Sequence, residues 1–305
     1  MKYFYILSVL CLLSITATAQ EYITLWEKGK MPNSKGLILE HIEARERVTQ
    51  VATPGMYAFF PPLEERNGTS VLIPPGGGYH HLTYNLGGFQ LAKWLNTQGI
   101  TAFVLMYRLP TSPDLINPAD GPVQDGQRAL QIIRQHAEDW KLDSTKVGVL
   151  GTSAGGHLAS YLGTHDKDIT GMTDTTSTFG VQPNFMILVS PVISMESDTH
   201  QGSVTNLLGE HATDATKKAY STQYSINATT PPTFLAHAEN DPAVPPSNSL
   251  RFYTALLKNN VNASLHIFPR GKHAIGIYNA SEHTNQWKAL CIQWLKELAF
   301  ITSPK

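Results

Sequence analysis

The sequence Val147-Gly148-Val149-Leu150-Gly151-Thr152-Ser153-Ala154-Gly155-Gly156 carries the clearest indication of architecture in this chain. An apolar run ending at Leu150 is typical of a buried strand, and the segment that begins at Ala154 predicts a helix directly after it. The pattern Gly-x-Ser-x-Gly between them puts Ser153 in a tight strand-to-helix turn, where the residues two places away must be small. We interpret Ser153 as a nucleophile; a glycine-rich turn is the alternative for the pattern taken alone.

Outward from this motif, short apolar runs alternate with longer segments of helical period. The runs lie at 70–75, 101–107, 146–150, 185–191, 233–238 and 263–268, and the helical segments at 86–98, 124–140, 154–163, 248–260 and 282–300. Strands that alternate with helices in this way predict an α/β fold with a mainly parallel sheet. Residues 40–60 are predicted to add antiparallel edge strands. The reactive crevice of such a sheet lies at the carboxyl ends of its strands.

Composition excludes several classes of protein. The 305 residues hold 23 Lys and Arg against 24 Asp and Glu, for a net charge of -1, so the chain offers no broad basic surface for nucleic acid. Hydropathy shows no repeat period and, beyond the N-terminus, no apolar stretch long enough to span a membrane. We predict one domain over residues 20–305, without a nucleic-acid partner or a membrane span in the mature chain.

The first nineteen residues differ from the rest. Lys2 is followed by an apolar run over 3–15 and then by Ala17-Thr18-Ala19, and these three regions predict a secretory signal peptide over residues 1–19. The protein is therefore expected to be exported, to a periplasm or out of the cell, and the short leader is typical of bacteria. A retained membrane anchor is the alternative. Removal of the leader leaves Cys291 without a partner for an internal disulfide, so we expect it to be buried in a helix.

A serine hydroxyl needs a base to take its proton, and the base needs a carboxylate to orient it. Two predicted strands downstream of Ser153 run out into loops that carry Asp241 and His273. Because parallel strands end at the same edge of the sheet, we predict Asp241 as the orienting acid and His273 as the base. Glu239 is the rival acid, two residues nearer the strand.

The remaining histidines near these motifs are given structural roles. His157, His237 and His266 fall within predicted helices or strands, where a histidine is more often a hydrogen-bonded packing residue. His80 and His81 could line an acyl pocket, although adjacent histidines on a loop are more often solvated. The sequence has no His-Glu-x-x-His motif and no cysteine cluster, so we predict neither a metal nor a cofactor.

A glycine-rich loop supplies the fourth part of the predicted site. Pro74-Pro75-Gly76-Gly77-Gly78-Tyr79 follows a predicted strand, and consecutive glycines leave backbone N–H groups free to face a pocket. We predict that the N–H groups of Gly77, Gly78 and Ala154 form an oxyanion hole. A flexible turn is the alternative.

Several segments together resemble a known family. They are Pro75-Gly76-Gly77-Gly78-Tyr79, Ala92-Lys93-Trp94-Leu95, Val104-Leu105-Met106-Tyr107-Arg108-Leu109-Pro110, Gly151-Thr152-Ser153-Ala154-Gly155-Gly156-His157-Leu158-Ala159 and Ser190-Pro191-Val192-Ile193-Ser194. From about residue 50 onward the chain resembles the bifunctional feruloyl and acetyl-xylan esterases, which are related to the hormone-sensitive-lipase-like enzymes. The resemblance implies an α/β-hydrolase fold with a mostly parallel eight-stranded sheet, flanking helices and a small cap or loop insertion.

The same resemblance implies a serine carboxylesterase that acts on carbohydrate-linked esters, such as acetyl groups on plant xylan, and needs no cofactor. The matching positions are Ser153, Asp241 and His273 for the triad and Gly77, Gly78 and Ala154 for the oxyanion donors. Pro75 stands where the lipase-like branch often has a histidine, so how the glycine loop is held cannot be taken from that branch.

Two other functions stay open. A serine peptidase uses the same groups but commonly has an extra domain, for which this chain has no length to spare. A catalytically silent binding protein of this fold typically lacks the serine or the histidine. Over the crevice we expect loops and a short helical cap from residues 166–183 and 196–224. Tyr79, Tyr84 and Trp287 are candidates for stacking on sugar, although packing is the more common role of such rings.

Overall fold

A computed structural model describes residues 21–275 and 282–302, apart from the side chains of Glu282 and His283. The predicted leader, residues 1–19, lies outside the described residues. The strands are β1 (Glu21–Thr24), β2 (Ile42–Ala44), β3 (Arg47–Gln50), β4 (Gly55–Phe59), β5 (Ser70–Ile73), β6 (Thr101–Met106), β7 (Val147–Thr152), β8 (Met186–Val189), β9 (Thr233–Ala238) and β10 (Ala263–Phe268). The helices are α1 (Gln90–Asn96), α2 (Asp120–Gln135), α3 (Ala154–Thr164), α4 (Gln201–Leu208), α5 (Asp214–Ala219), α6 (Ser247–Lys258) and α7 (Glu282–Glu297).

Eight of the described strands form one sheet in the order β1-β4-β6-β5-β7-β8-β9-β10. The six strands from β6 to β10 in this order are parallel, and β4 and β1 extend the sheet in antiparallel fashion. The prediction of a mostly parallel eight-stranded sheet is confirmed. Because β5, β7, β9 and β10 run the same way, the loops that follow them meet at one edge of the sheet.

Helices cover both faces of the sheet, which explains why the central strands are apolar throughout. In β5, Leu72 packs into the layer that contains α2, α3 and α6, whereas Val71 and Ile73 pack into the layer with α1 and α7. Strands buried on both faces read as continuous apolar runs rather than alternating ones. Cys291 of α7 is fully buried, as predicted.

The prediction for residues 40–60 was wrong in part. Only β4 joins the main sheet from that stretch, and its outer neighbour is β1, which precedes the stretch. Strands β2 and β3 form a separate hairpin, because Val48 is its only buried residue and the hairpin has no apolar face to add to the sheet. Val48 exchanges backbone hydrogen bonds with Leu82 instead, so the hairpin lies against the loop after β5.

The cap was predicted correctly for one of its two segments. Residues 196–224 contain α4 and α5 and reach the sheet edge described below. Residues 166–183 pack on the flank of α2, where Arg128 pairs with Asp174 at 2.7 Å and Gln127 donates to the carbonyl of Lys167. The segment is thus anchored to α2, and none of its residues lines the cavity that Ser153 lines. Over the described ranges, no helix is both long and apolar enough to cross a membrane.

Candidate active site

Ser153 lies in the turn between β7 and α3 with a φ of +57°, a left-handed conformation that a serine rarely adopts. The two flanking glycines make this turn possible. A Cβ at Gly151 would lie 2.2 Å from the carbonyl oxygen of Gly155, and one at Gly155 would lie 2.1 Å from that of Pro74. Both contacts are far below van der Waals separation, which confirms why these positions must be small.

The glycine loop after β5 packs directly against this turn. A Cβ at Gly76 would lie 2.6 Å from the carbonyl oxygen of Thr152 and 3.2 Å from the Cβ of Ser153. Gly77 has a φ of +134°, and a side chain there would collide with the carbonyl oxygen of His81 at 1.9 Å. Close approach and backbone conformation therefore both require glycine in this loop.

Three side chains hold the glycine loop through its carbonyl groups. Tyr107 donates its hydroxyl to the carbonyl of Pro75 at 2.9 Å, and the Thr83 hydroxyl donates to that of Gly76 at 3.0 Å. Asn206 of α4 donates its amide to the carbonyl of Gly78 at 2.8 Å. These three hydrogen bonds fix the loop, although it has Pro75 where the lipase-like enzymes often have a histidine.

The three donors above bind carbonyl groups of the loop, not its N–H groups. Within residues 21–275 and 282–302, the N–H groups of Gly77, Gly78 and Ala154 donate to no acceptor. Gly77 and Gly78 line a cavity, while Ala154 is buried at the first turn of α3, directly after Ser153. Free N–H groups at a helix start and on a glycine loop favour negative charge beside them.

Asp241 and His273 meet at the same edge of the sheet, on the loops that follow β9 and β10. The His273 Nδ1 lies 2.8 Å from the Asp241 Oδ2. The backbone N–H of Lys272 donates to the side-chain oxygen of Asn240, which ties the two loops together. Glu239, the rival acid, is exposed, and the imidazole contacts Asp241 instead.

Asp241 is held by donors on both of its carboxylate oxygens. Its Oδ1 accepts the backbone N–H groups of Ala243 and Val244, while its Oδ2 faces His273 and, at 3.3 Å, the Nε2 of His237. Burial raises the pKa of Asp241, but hydrogen bonds from His237 and His273, the charge of His273 and the Val244 N–H outweigh burial. The pKa is held well below its ordinary value, so the carboxylate stays ionised.

The contact of His237 with Asp241 was not indicated by its sequence context. His237 is fully buried in β9, as expected of a packing residue, and its Nδ1 lies 2.7 Å from the Ser249 hydroxyl. Its Nε2 lies 3.0 Å from the carbonyl of Val244 as well as facing Asp241. The four-residue spacing of His237 and Asp241 was visible in the sequence, but the turn that brings their side chains together was not.

Ser153 and His273 line one cavity of about 370 Å³. The other residues that line it include His80, His81, His200 and Arg47, and none of the lining residues within the described ranges is an aspartate or glutamate. Burial, followed by the charge of Arg47, lowers the pKa of His81. In the described part of the chain the Ser153 hydroxyl forms no hydrogen bond with His273; such contacts often tighten only when substrate binds.

The three aromatic candidates for sugar stacking are not equivalent. Trp287 is fully buried against Trp94, and Tyr79 is 1% exposed, so neither ring can reach a carbohydrate. Tyr84 is half-buried and donates its hydroxyl to Glu43 of the β2–β3 hairpin. The two buried rings therefore have packing roles.

His157 links the glycine loop to the cap. The Tyr79 hydroxyl lies 2.8 Å from its Nδ1, and its Nε2 lies 2.8 Å from the carbonyl of Tyr220. Because a carbonyl only accepts, Nε2 carries the proton and Nδ1 accepts from Tyr79. Burial lowers the pKa of His157 to about 4, although the hydrogen bond to Tyr220 opposes that change.

This buried imidazole predicts a pH-dependent stability. An unfolded histidine has a pKa of about 6.5, so between about pH 6.5 and 4 the unfolded chain binds more protons and the free energy of unfolding falls. In urea unfolding, the stability advantage of the wild type over His157→Gln is expected to shrink by about 2–3 kcal/mol from pH 7 to pH 4. The control His211→Gln, on an exposed side chain, should follow the wild type. Parallel profiles for wild type and His157→Gln would contradict the assignment.

Comparison with known proteins gives consistent results. The BD-FAE family model matches residues 58–256. The chain is 36% identical over 248 residues to an acetylxylan esterase of Xylanibacter ruminicola. This match covers 80% of this chain and 48% of that protein. It is 32% identical over 209 residues to endo-1,4-beta-xylanase B of Butyrivibrio fibrisolvens, covering 68% of this chain and 33% of that protein. The chain therefore spans about half of one relative and a third of the other.

Among solved structures, the acetyl ester-xyloside bifunctional hydrolase from Caldicellulosiruptor lactoaceticus superimposes with a TM-score of 0.80. The two chains are 32% identical, and the match covers 95% of this chain and all of the other. The α/β-hydrolase fold is thereby confirmed.

Proposed function

Because this chain belongs to the BD-FAE family, we propose that it is a serine esterase that removes acyl groups, chiefly acetyl, from plant-type carbohydrates. The observation that carries this proposal is the Asp241–His273 pair, 2.8 Å apart, on a cavity that Ser153 also lines. A nucleophile, a base and an acid in the chain order Ser, Asp, His are the minimum set for acyl transfer on this fold.

In the first step, the Ser153 oxygen attacks the ester carbonyl while His273 takes the hydroxyl proton. His273 then gives that proton to the departing alcohol oxygen, and an acyl group stays on Ser153. A water molecule then hydrolyses the acyl-enzyme. His273 takes a proton from the water, the water oxygen attacks the acyl carbon, and Ser153 recovers the proton as the carboxylic acid leaves. Asp241 accepts from Nδ1 of His273, so the lone pair that receives each proton is on Nε2.

The tetrahedral intermediates carry negative charge on the former carbonyl oxygen. The N–H groups of Gly77, Gly78 and Ala154 are free to bind it, and Tyr107, Thr83 and Asn206 hold the loop in place before substrate arrives. Preorganised donors of this kind stabilise the transition state more than the substrate, because the charge develops only there.

The substrate class rests on the relatives. One is named an acetylxylan esterase, one a xylanase and one an acetyl ester-xyloside bifunctional hydrolase. All three names contain a xylose-type carbohydrate and two of them an acetyl ester, which favours a xylose-type sugar that carries an acetyl group. A cavity of about 370 Å³ is at the small end of ligand sites, which favours a short acyl group. The partner is then an acylated polysaccharide or oligosaccharide. We also propose that the protein is exported, on the signal peptide predicted from the sequence.

Product release from a substrate panel tests this function. The wild type is expected to release acetate from acetylated xylan faster than ferulate from feruloylated arabinoxylan, and to leave casein intact. Release of ferulate but not acetate would show that the enzyme removes feruloyl rather than acetyl groups. Cleavage of casein alone would identify a peptidase, and no turnover of any substrate or of p-nitrophenyl acetate would favour a binding protein.

A further inference from the structure

His200 stands at the start of α4, inside the cap, and its side chain caps that helix. Its Nδ1 accepts the backbone N–H of Ser203 at 3.1 Å and lies 2.9 Å from the hydroxyl of Ser203. Serine, threonine, asparagine and aspartate usually perform this task, as Thr213 does for α5. A histidine at this position offers something that those residues lack, which is a second ring nitrogen.

The hydrogen bond that caps α4 determines which ring nitrogen of His200 carries the proton. A backbone N–H can only donate, so Nδ1 of His200 must present its lone pair, and in the neutral ring the proton is on Nε2. Burial and then the neighbouring His273 lower the pKa of His200, against a smaller opposing effect of Asp241. The ring is thus kept neutral, with an N–H donor at its far end.

The His200 ring is part of the cavity wall. His200 lines the cavity with Ser153 and His273, and a Cβ placed on Gly78 would lie 3.2 Å from its Cε1. The ring therefore lies beside the glycine loop. Over residues 21–275 and 282–302, no acceptor receives a hydrogen bond from the Nε2 of His200. A polar donor placed on a cavity wall without a protein acceptor is available to a ligand oxygen.

We propose that His200 determines specificity by donating its Nε2–H to an oxygen of the sugar that carries the ester. This inference rests on the proposed function. An acetyl ester has two oxygens of its own: the carbonyl oxygen has the N–H groups of the glycine loop and Ala154, and the ester oxygen receives its proton from His273. The remaining oxygens of the substrate belong to the sugar, as hydroxyl groups or the ring oxygen, and a further donor serves them.

Two variants separate this role from helix capping. Asparagine is a good N-cap residue, so His200→Asn keeps an acceptor for the Ser203 N–H and loses the distal donor. His200→Gln places an amide N–H near the position of Nε2 but provides no cap. The readouts are Tm and kcat/KM for two substrates, an acetylated xylo-oligosaccharide and p-nitrophenyl acetate. The second substrate has neither a sugar ring nor a hydroxyl group beyond the oxygen that forms the ester.

We define the ratio as kcat/KM for the carbohydrate divided by kcat/KM for the nitrophenyl ester. For His200→Asn this ratio is expected to fall about tenfold, because KM for the carbohydrate rises. The Tm of this variant should stay close to that of the wild type. For His200→Gln, the ratio should recover in part while Tm falls by about 2–4 °C. The control is the same substitution on an exposed histidine, His211→Asn, which should leave the ratio and Tm unchanged.

Other outcomes overturn the inference. If His200→Asn lowers both kcat/KM values equally, or neither, its side chain does not bind the sugar. If His200→Gln loses the carbohydrate ester as fully as His200→Asn and the losses follow Tm, the role of His200 is structural. A wild type that hydrolyses p-nitrophenyl acetate but no acetylated carbohydrate would instead contradict the proposed function, and this inference with it.

Discussion

Replacing Ser153 with alanine is expected to lower kcat for p-nitrophenyl acetate by at least about 10⁴-fold. The variant keeps the cavity, the free N–H groups and the Asp241–His273 pair, but it has no oxygen on which to form the acyl-enzyme. Residual hydrolysis then depends on water attacking a bound ester. Initial rates at saturating substrate, corrected for spontaneous hydrolysis, give the comparison.

The fold should survive this change, because alanine is smaller than serine and Ser153 makes no side-chain hydrogen bond within the described residues that alanine would remove. Thermal unfolding of the variant checks this point. Ser197→Ala, on an exposed serine of the cap segment, is the matched control and should retain full activity. A Ser153→Ala protein that is folded and hydrolyses the ester within tenfold of the wild type would remove Ser153 from the mechanism.

Replacing Asp241 with asparagine is expected to lower kcat by about 10⁴-fold. The N–H groups of Ala243 and Val244 require an oxygen at Oδ1, so the asparagine amide nitrogen must take the place of Oδ2. That nitrogen donates toward His273, whose Nδ1 must then accept, and the proton moves to Nε2. The imidazole is left with no lone pair on the nitrogen that takes the serine proton in the proposed mechanism.

The same nitrogen also faces the Nε2 of His237, so Asp241→Asn should lower Tm as well as kcat. Activity measured well below the Tm of the variant separates the two effects. Glu239→Gln, two residues away on an exposed side chain, is the control and should stay close to wild type. If Glu239→Gln lost activity while Asp241→Asn kept it, the rival carboxylate would be the orienting acid.

The sequence predicted those features that depend on local pattern. Continuous apolar runs identified the central strands, because strands covered on both faces have no polar side. Glycines on both sides of Ser153 and in the loop at 76–78 indicated close backbone approach, and the structure supplies the contacts that a side chain would violate.

Features that depend on distant contacts could not be predicted. The position of His200 beside Gly78 and the anchoring of Gly78 by Asn206 depend on residues that lie more than 120 positions downstream of the glycine loop. The β2–β3 hairpin brings Arg47 to the cavity through backbone pairing of Val48 with Leu82, which no periodicity signals. Likewise, Trp287 could not be recognised as buried from its own position in a helix that also carries exposed residues.

We propose that the acyl group becomes attached to Ser153, whose hydroxyl proton is taken by His273. Reaction with a fluorophosphonate followed by mass spectrometry of the peptides tests this proposal most directly, because the probe forms a stable bond only with an activated serine. We expect one adduct per chain, on Ser153, formed in proportion to the loss of esterase activity and absent from Ser153→Ala. Inactivation with the adduct on another residue, or full activity in a protein whose Ser153 stays unlabelled, would contradict the account.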